Sequence, residues 1–250
     1  MRPNTFMELA IAKGADLDKI DFYKVDINTA FEFFRINAQL VTDLKTLQRV
    51  TYEIIEDYEK QNTRYLELRS SPKAYGDKTK ADCIRALLEV FESAETDFPN
   101  IKVRLLVSIN RTSSLESAQE TLALVKEIES RFIVGVELSG DPRDGSFATF
   151  EADLRSFREE TGMKVSLHCA ETEEQKAESQ SMIDFAPDRL GHCCYLVSLL
   201  AFFADAECFL CRVLSSLERC TQKGFQWRCV RRATSLRSPL PTGQLKVCPI

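Results

Sequence analysis

Between residues 64 and 192 the chain repeats one theme: an apolar run of strand length, then an amphipathic stretch of helix length. Residues 64–69 alternate apolar and polar side chains as a strand does, and Ser70, Ser71 and Pro72 end the run. Helical spacing over about 80–97 leads to a strand over 103–109, and a helix over about 115–131 leads to a strand over 133–138. A helix over about 149–161 then leads to a strand over 164–168, and one over about 173–185 to the short segment 189–192. Upstream, residues 27–60 carry apolar side chains at spacings of three and four, among them Phe31, Phe34, Ala38 and Val41. Such alternation predicts an α/β fold with a parallel sheet.

A (β/α)8 barrel and a doubly wound sheet both satisfy that pattern. The polar residues favour the barrel. Arg69, Gly140, His168 and His192 all fall at the C-terminal ends of expected strands, and a barrel draws its site from several strand ends on one face. A dinucleotide-binding sheet would carry G-x-G-x-x-G after its first strand, and the chain has none. About five strands precede residue 192, so the barrel is expected to be incomplete.

Composition narrows the class. With 44% hydrophobic and 28% charged residues the chain reads as a soluble globular protein. No apolar run approaches the ~20 residues of a membrane helix. Nothing after Met1 reads as a secretory signal, which predicts a cytoplasmic protein with no membrane partner. Charge divides at His192: residues 193–250 carry eight Lys/Arg and three Asp/Glu, while residues 1–192 carry 25 and 35. The acidic body offers no electrostatic footprint for nucleic acid. Seven of the nine cysteines also follow Gly191.

The chain holds two histidines, and each sits in a distinctive context. His168 ends a strand with Glu171 three residues on, so an imidazole nitrogen can ligate a metal while the carboxylate handles a proton. A structural histidine beside a solvated Glu171 accounts for the same text. His192 closes the segment DRLGH and can act as a base or as a turn histidine. Gly140, past a strand end, lets a flat ligand approach the backbone, although an ordinary turn also uses glycine there. Arg69, Ser70, Ser71 and Lys73 cluster cations and hydroxyls in a way that suits a phosphate or a solvated loop. Cys208 and Cys211 match half of a zinc ligand set without a second pair at the right spacing.

Four segments in order are RYLELRSSP from Arg64, GVELSGDP from Gly135, SLHCAE from Ser166 and PDRLGH from Pro187. Together they resemble the adenosine and AMP deaminase superfamily over about residues 25–192. The text SGDP from Ser139, and RSSPK from Arg69, is similar to the branch acting on N6-methyl-AMP and related N6-substituted nucleotides. The resemblance implies a metal-dependent hydrolase barrel that binds one Zn2+ and deaminates a purine nucleoside or nucleotide to the inosine form. It implies His168 as a zinc ligand, Glu171 as the acid that protonates purine N1, and His192 as the base that takes a proton from the attacking water. It places the Gly140 backbone at the purine edge and Ser70, Ser71 and Lys73 near the 5′-phosphate.

The chain also departs from the family pattern. It contains no His-x-His, and Asp205 is the single aspartate after His192, where the family carries an Asp-Asp pair. Cys193 follows Gly-His in place of a further glycine. The expected division is therefore a partial barrel domain over 1–192 and an atypical Cys-rich basic tail over 193–250. The charge flip in that tail suits an altered reading frame, a read-through intron or a prediction artefact. With one clear zinc ligand, the chain by itself is expected to be inactive. The alternative is a non-catalytic nucleotide-binding or interaction protein built on a deaminase barrel. Oligomeric state is not legible from the sequence.

Overall fold

The computed structural model describes residues 1–17, 26–196 and 245–249, the last of these as backbone only. The tail residues 197–244, with Asp205, Cys208 and Cys211, lie outside the described residues. The elements run α1 (Pro3–Ala12), α2 (Ile27–Leu40), α3 (Leu44–Lys60), β1 (Tyr65–Ser70), α4 (Lys80–Asp97), β2 (Lys102–Asn110), α5 (Leu115–Glu127) and β3 (Ile133–Ser139). They continue with α6 (Glu151–Thr161), β4 (Lys164–Cys169), α7 (Lys176–Asp184), β5 (Arg189–His192) and β6 (Leu245–Pro249). A short 3-10 turn, Phe147–Thr149, precedes α6. The chain divides into two compact units, residues 1–105 with 241–250 and residues 106–240.

In the first unit the helical pattern over 27–60 divides into α2 and α3. The break follows from Asp43, whose Oδ1 accepts the Thr46 N–H at 2.8 Å and so satisfies an orphan donor of a new helix. Helix α1 was not evident from periodicity. It starts on Pro3, whose missing N–H costs nothing in a first turn, and buries Phe6 and Ala10 against Ile36 and Leu40 of α2. Thr79 and Asp82 form a reciprocal capping box at the start of α4. Strand β1 pairs in parallel with β6, Tyr65 opposite Leu245.

In the second unit the strands neighbour one another in the order β2, β3, β4, β5. Strand β3 pairs in parallel with β4, Gly135 opposite Lys164, and β4 with β5, His168 opposite Gly191. Val136, Leu138, Val165 and Leu167 are fully buried on these strands, and Phe147, Phe150, Leu154, Phe157 and Phe185 pack in the same core. Five successive parallel strands, each joined to the next through a helix, make this an α/β fold with part of a (β/α)8 barrel, as the alternation predicts. Among the described residues, no helix is long and apolar enough to cross a membrane.

Candidate functional site

Strand pairing decides which side chains meet. His168 sits one residue before the end of β4 and His192 ends β5, and the parallel register sets Cys169 opposite His192. The His168 and His192 rings meet edge-on at 4.6 Å between centroids. Glu171 lies just past β4, and its N–H donates to Gln175 Oε1 at 2.7 Å. Gln175 Nε2 in turn donates to the His168 carbonyl at 3.2 Å. This loop brings the Glu171 carboxylate back over its own strand end.

The result is a close cluster. His168 Nδ1 stands 3.0 Å from Glu171 Oε1 and 3.1 Å from His192 Nε2. His192 Nε2 stands 3.3 Å from Glu171 Oε2. On the other side of the ring, His168 Nε2 lies 3.0 Å from Glu137 Oε1. Glu137 comes from β3 and is 1% exposed; His168 is 7% exposed. Among the described residues, His168, Glu171 and His192 bring ligand-type atoms within 4.8 Å of one another.

Charge counting shows what this arrangement requires. A neutral imidazole carries one N–H, and ionised carboxylates only accept. Both nitrogens of His168 face carboxylate oxygens, so one of the two contacts calls for additional positive charge. Two buried or half-buried carboxylates around two imidazoles form a donor set suited to a cation. Imidazole nitrogen and carboxylate oxygen are ligands that Zn2+ accepts at about 2.0–2.2 Å. Ligands of a tetrahedral ion at that radius stand roughly 3.3 Å apart, close to the separations in the cluster. The residues therefore fit a metal ion.

Backbone strain gathers at the same place. Ala170, His192 and Cys193 take φ of 50°, 58° and 57°. Left-handed backbone is uncommon for residues with a Cβ, and such strain clusters at functional sites. It also gives a physical meaning to the Cys193 departure, because a glycine would hold that conformation without a steric cost. Hydrogen bonding with the Cys193 side chain, and with that of Ser179, holds the Cys169 thiol below its usual pKa, against the opposing effect of burial.

Gly140 follows β3 at φ 112°, and a Cβ there would lie 2.2 Å from Asn110 Oδ1, so any other residue would be strained and would have to displace the Asn110 side chain. In the first unit Ser70 is buried at the end of β1, and Ser71 and Lys73 are exposed residues of the following loop. The Lys73 ammonium turns back to donate to the carbonyls of Ala38 and Val41 at 2.9 and 3.3 Å. A cation is favoured at this C-terminal end of α2, and desolvation holds the lysine pKa below its ordinary value.

Sequence reasoning found His168, Glu171 and His192 but missed Glu137 and Gln175. Glu137 had a legible signal, a lone carboxylate inside the apolar strand Ile133–Ser139. Gln175 had none, since a glutamine at the start of a helix is ordinary.

The adenosine deaminase family profile matches residues 1–221. The chain is 33% identical over 227 residues to N6-mAMP deaminase of Arabidopsis thaliana, covering 78% of this chain and 63% of that protein. It is 36% identical over 174 residues to the adenosine deaminase-like protein of Drosophila pseudoobscura pseudoobscura, covering 68% and 51%. The chain thus spans between half and two thirds of the length of these relatives. Among solved structures, Arabidopsis ADAL complexed with IMP superposes with a TM-score of 0.70 at 34% identity, over 78% of this chain and 61% of that one. An amidohydrolase of Burkhoderia ambifaria solved with bound Zn shares the fold at a TM-score of 0.61 and 21% identity, over 82% and 59%.

Proposed function

The chain belongs to the adenosine deaminase family, and on that premise we propose that it carries much of the active site of a zinc-dependent purine deaminase. The substrate is a 6-amino or N6-substituted purine nucleoside or nucleotide: adenosine, AMP or N6-methyl-AMP. Relatives named N6-mAMP deaminase and a related structure holding IMP support the nucleotide and its N6-methyl form. The observation that carries the reading is the convergence of His168, Glu171 and His192 at the ends of two adjacent strands.

In the proposed reaction a water oxygen bonds to C6, the C6–N6 bond breaks, and the purine leaves as the 6-oxo form with ammonia or an amine. Glu171 in its acid form donates a proton to N1, which draws electron density from C6 and opens it to attack. His192 takes a proton from the attacking water and passes it to N6 as the C6–N6 bond breaks, while the new C6 hydroxyl returns its proton to Glu171. Glu137 fixes the plane of the His168 ring from behind. The Gly140 N–H donates to the purine edge, and Ser70, Ser71 and Lys73 meet the 5′-phosphate, with Lys73 exchanging its carbonyl partners for phosphate oxygens. His168 is assigned as a ligand of zinc, which when bound supplies Lewis acidity that makes water a competent nucleophile near pH ~7. The domain division at His192–Cys193 and a cytoplasmic setting, in which Cys83 and Cys169 stay thiols, belong to the same reading.

One observation favours a second reading. The whole sequence contains two histidines, while a catalytic zinc takes three protein ligands or more. If Glu171 and His192 complete the ligand set, neither is left for proton transfer, and the chain holds a nucleotide without converting it. The test is amine release and IMP formation from N6-methyl-AMP by the zinc-supplemented full chain, beside Glu171→Gln. Loss of the acid should lower turnover about 10²–10⁴-fold. IMP binding without turnover in the wild-type chain selects the second reading, and turnover unchanged in Glu171→Gln refutes the assigned acid.

A further inference from the structure

Arg111 and Glu178 take no part in the chemistry proposed above, yet both are engaged on every side. Arg111 follows the last residue of β2 and is 3% exposed. Its backbone N–H donates to the Ser139 carbonyl at 2.7 Å. Its guanidinium donates to the carbonyls of Asp144 and Gly145 at 2.9 and 3.0 Å and to the Glu178 carboxylate of α7. The second Glu178 oxygen accepts the Phe147 N–H at 2.8 Å. The loop 140–147 is therefore held before its start by the Arg111 backbone, and in its middle and at its end by one cation and one carboxylate.

The loop has no slack against this clamp. A Cβ at Gly145 would lie 2.1 Å from the Arg111 carbonyl oxygen, and one at Gly140 would lie 2.2 Å from Asn110 Oδ1. Both glycines hold left-handed backbone, with φ of 69° and 112°. Where the Gly140 N–H stands is thus fixed by contacts that lead to residues 110 and 111.

We propose that Arg111 is a positioning residue for the purine, acting through the loop 140–147 that carries Gly140. The inference rests on the reading that Gly140 meets the purine edge. The fork of a guanidinium serves two carbonyls and a carboxylate at once, whereas an ammonium is a compact point charge without that geometry. Arg111→Lys keeps the charge opposite Glu178 but leaves the Asp144 and Gly145 carbonyls without their donor.

The test compares wild-type chain with Arg111→Lys by hydrogen exchange and by IMP binding. Exchange of the amides over 140–147 should rise about tenfold, as expected for two lost hydrogen bonds, and the melting temperature should fall by about 3–6 °C. The Kd for IMP should rise by a similar factor. Wild-type exchange over 140–147 in Arg111→Lys overturns the clamp. A wild-type chain that binds no IMP overturns the purine reading and with it the ligand half of the proposal, so the two failures are distinct. Should Arg111→Lys not fold, the double variant Arg111→Met with Glu178→Met removes both charges and leaves no buried ion unpaired. Fast exchange confined to 140–147 then supports the clamp, and exchange raised evenly across the second unit overturns it.

Discussion

Gly135 lies in the middle of β3, and replacing it with alanine sets two opposed effects against each other. Its φ is outside the left-handed region, so alanine fits the local backbone and would stabilise by about 0.4–1 kcal/mol through a less flexible unfolded chain. The added Cβ, however, would lie 2.2 Å from the Lys164 carbonyl oxygen and 2.9 Å from its carbon. These are backbone atoms of the paired strand, so no side chain can swing away. Restoring an ordinary contact of 3.4 Å means parting the strands by about 1.2 Å. Overpacking of this kind costs about 1–3 kcal/mol, and each ladder hydrogen bond stretched beyond reach adds roughly 1 kcal/mol. Sterics win by about 1–3 kcal/mol. At roughly 2–4 °C per kcal/mol for a chain of this size, Gly135→Ala should melt about 2–12 °C below wild type by circular dichroism. A melting temperature equal to or above wild type would refute the reasoning, because β3 and β4 could not then be paired with Gly135 opposite Lys164.

Two further predictions concern charge. Glu137→Gln keeps the shape behind His168 but removes the charge from a contact of 3.0 Å; Zn2+ affinity in a chelator competition should fall about 10–100-fold, and unchanged affinity would mean Glu137 does not orient the ring. Asp43, with its pKa lowered chiefly by the Thr46 backbone N–H, should contribute its cap, about 1 kcal/mol, fully above the ordinary carboxylate range near ~3.9. That contribution is lost as pH falls through the depressed folded value, so melting curves from pH ~5 downward should show an acid-dependent loss in wild type that is smaller in Asp43→Asn, since asparagine caps as well without titrating. Parallel acid profiles for the two would remove Asp43 from the account.

Much of the architecture was legible because its signals are local. Strand and helix periods are properties of neighbouring residues, so β1 to β5 and α4 to α7 could be placed from the text alone. What moved was where elements begin and end. Asp43 divides one apolar pattern into two helices, and α5 ends at Glu127 rather than near residue 131. Helix α1 escaped notice because its stability comes from packing Phe6 and Ala10 on α2, a contact that no local pattern encodes.

The sequence by itself determined the fold class, the family, and the location of Gly140, His168 and His192 at strand ends. It also exposed the shortage of histidines that makes catalysis the question for this chain. Tertiary structure alone decided that His168 and His192, 24 residues apart, share a hydrogen-bonding contact, and that Glu137 closes the far side of the His168 ring. It alone joined Arg111 to Glu178 across 67 residues and turned the Lys73 ammonium onto the end of α2. The physical reason is that local composition sets the period of an element, but which side chains meet depends on strand register and on the packing of loops and helices distant in the chain.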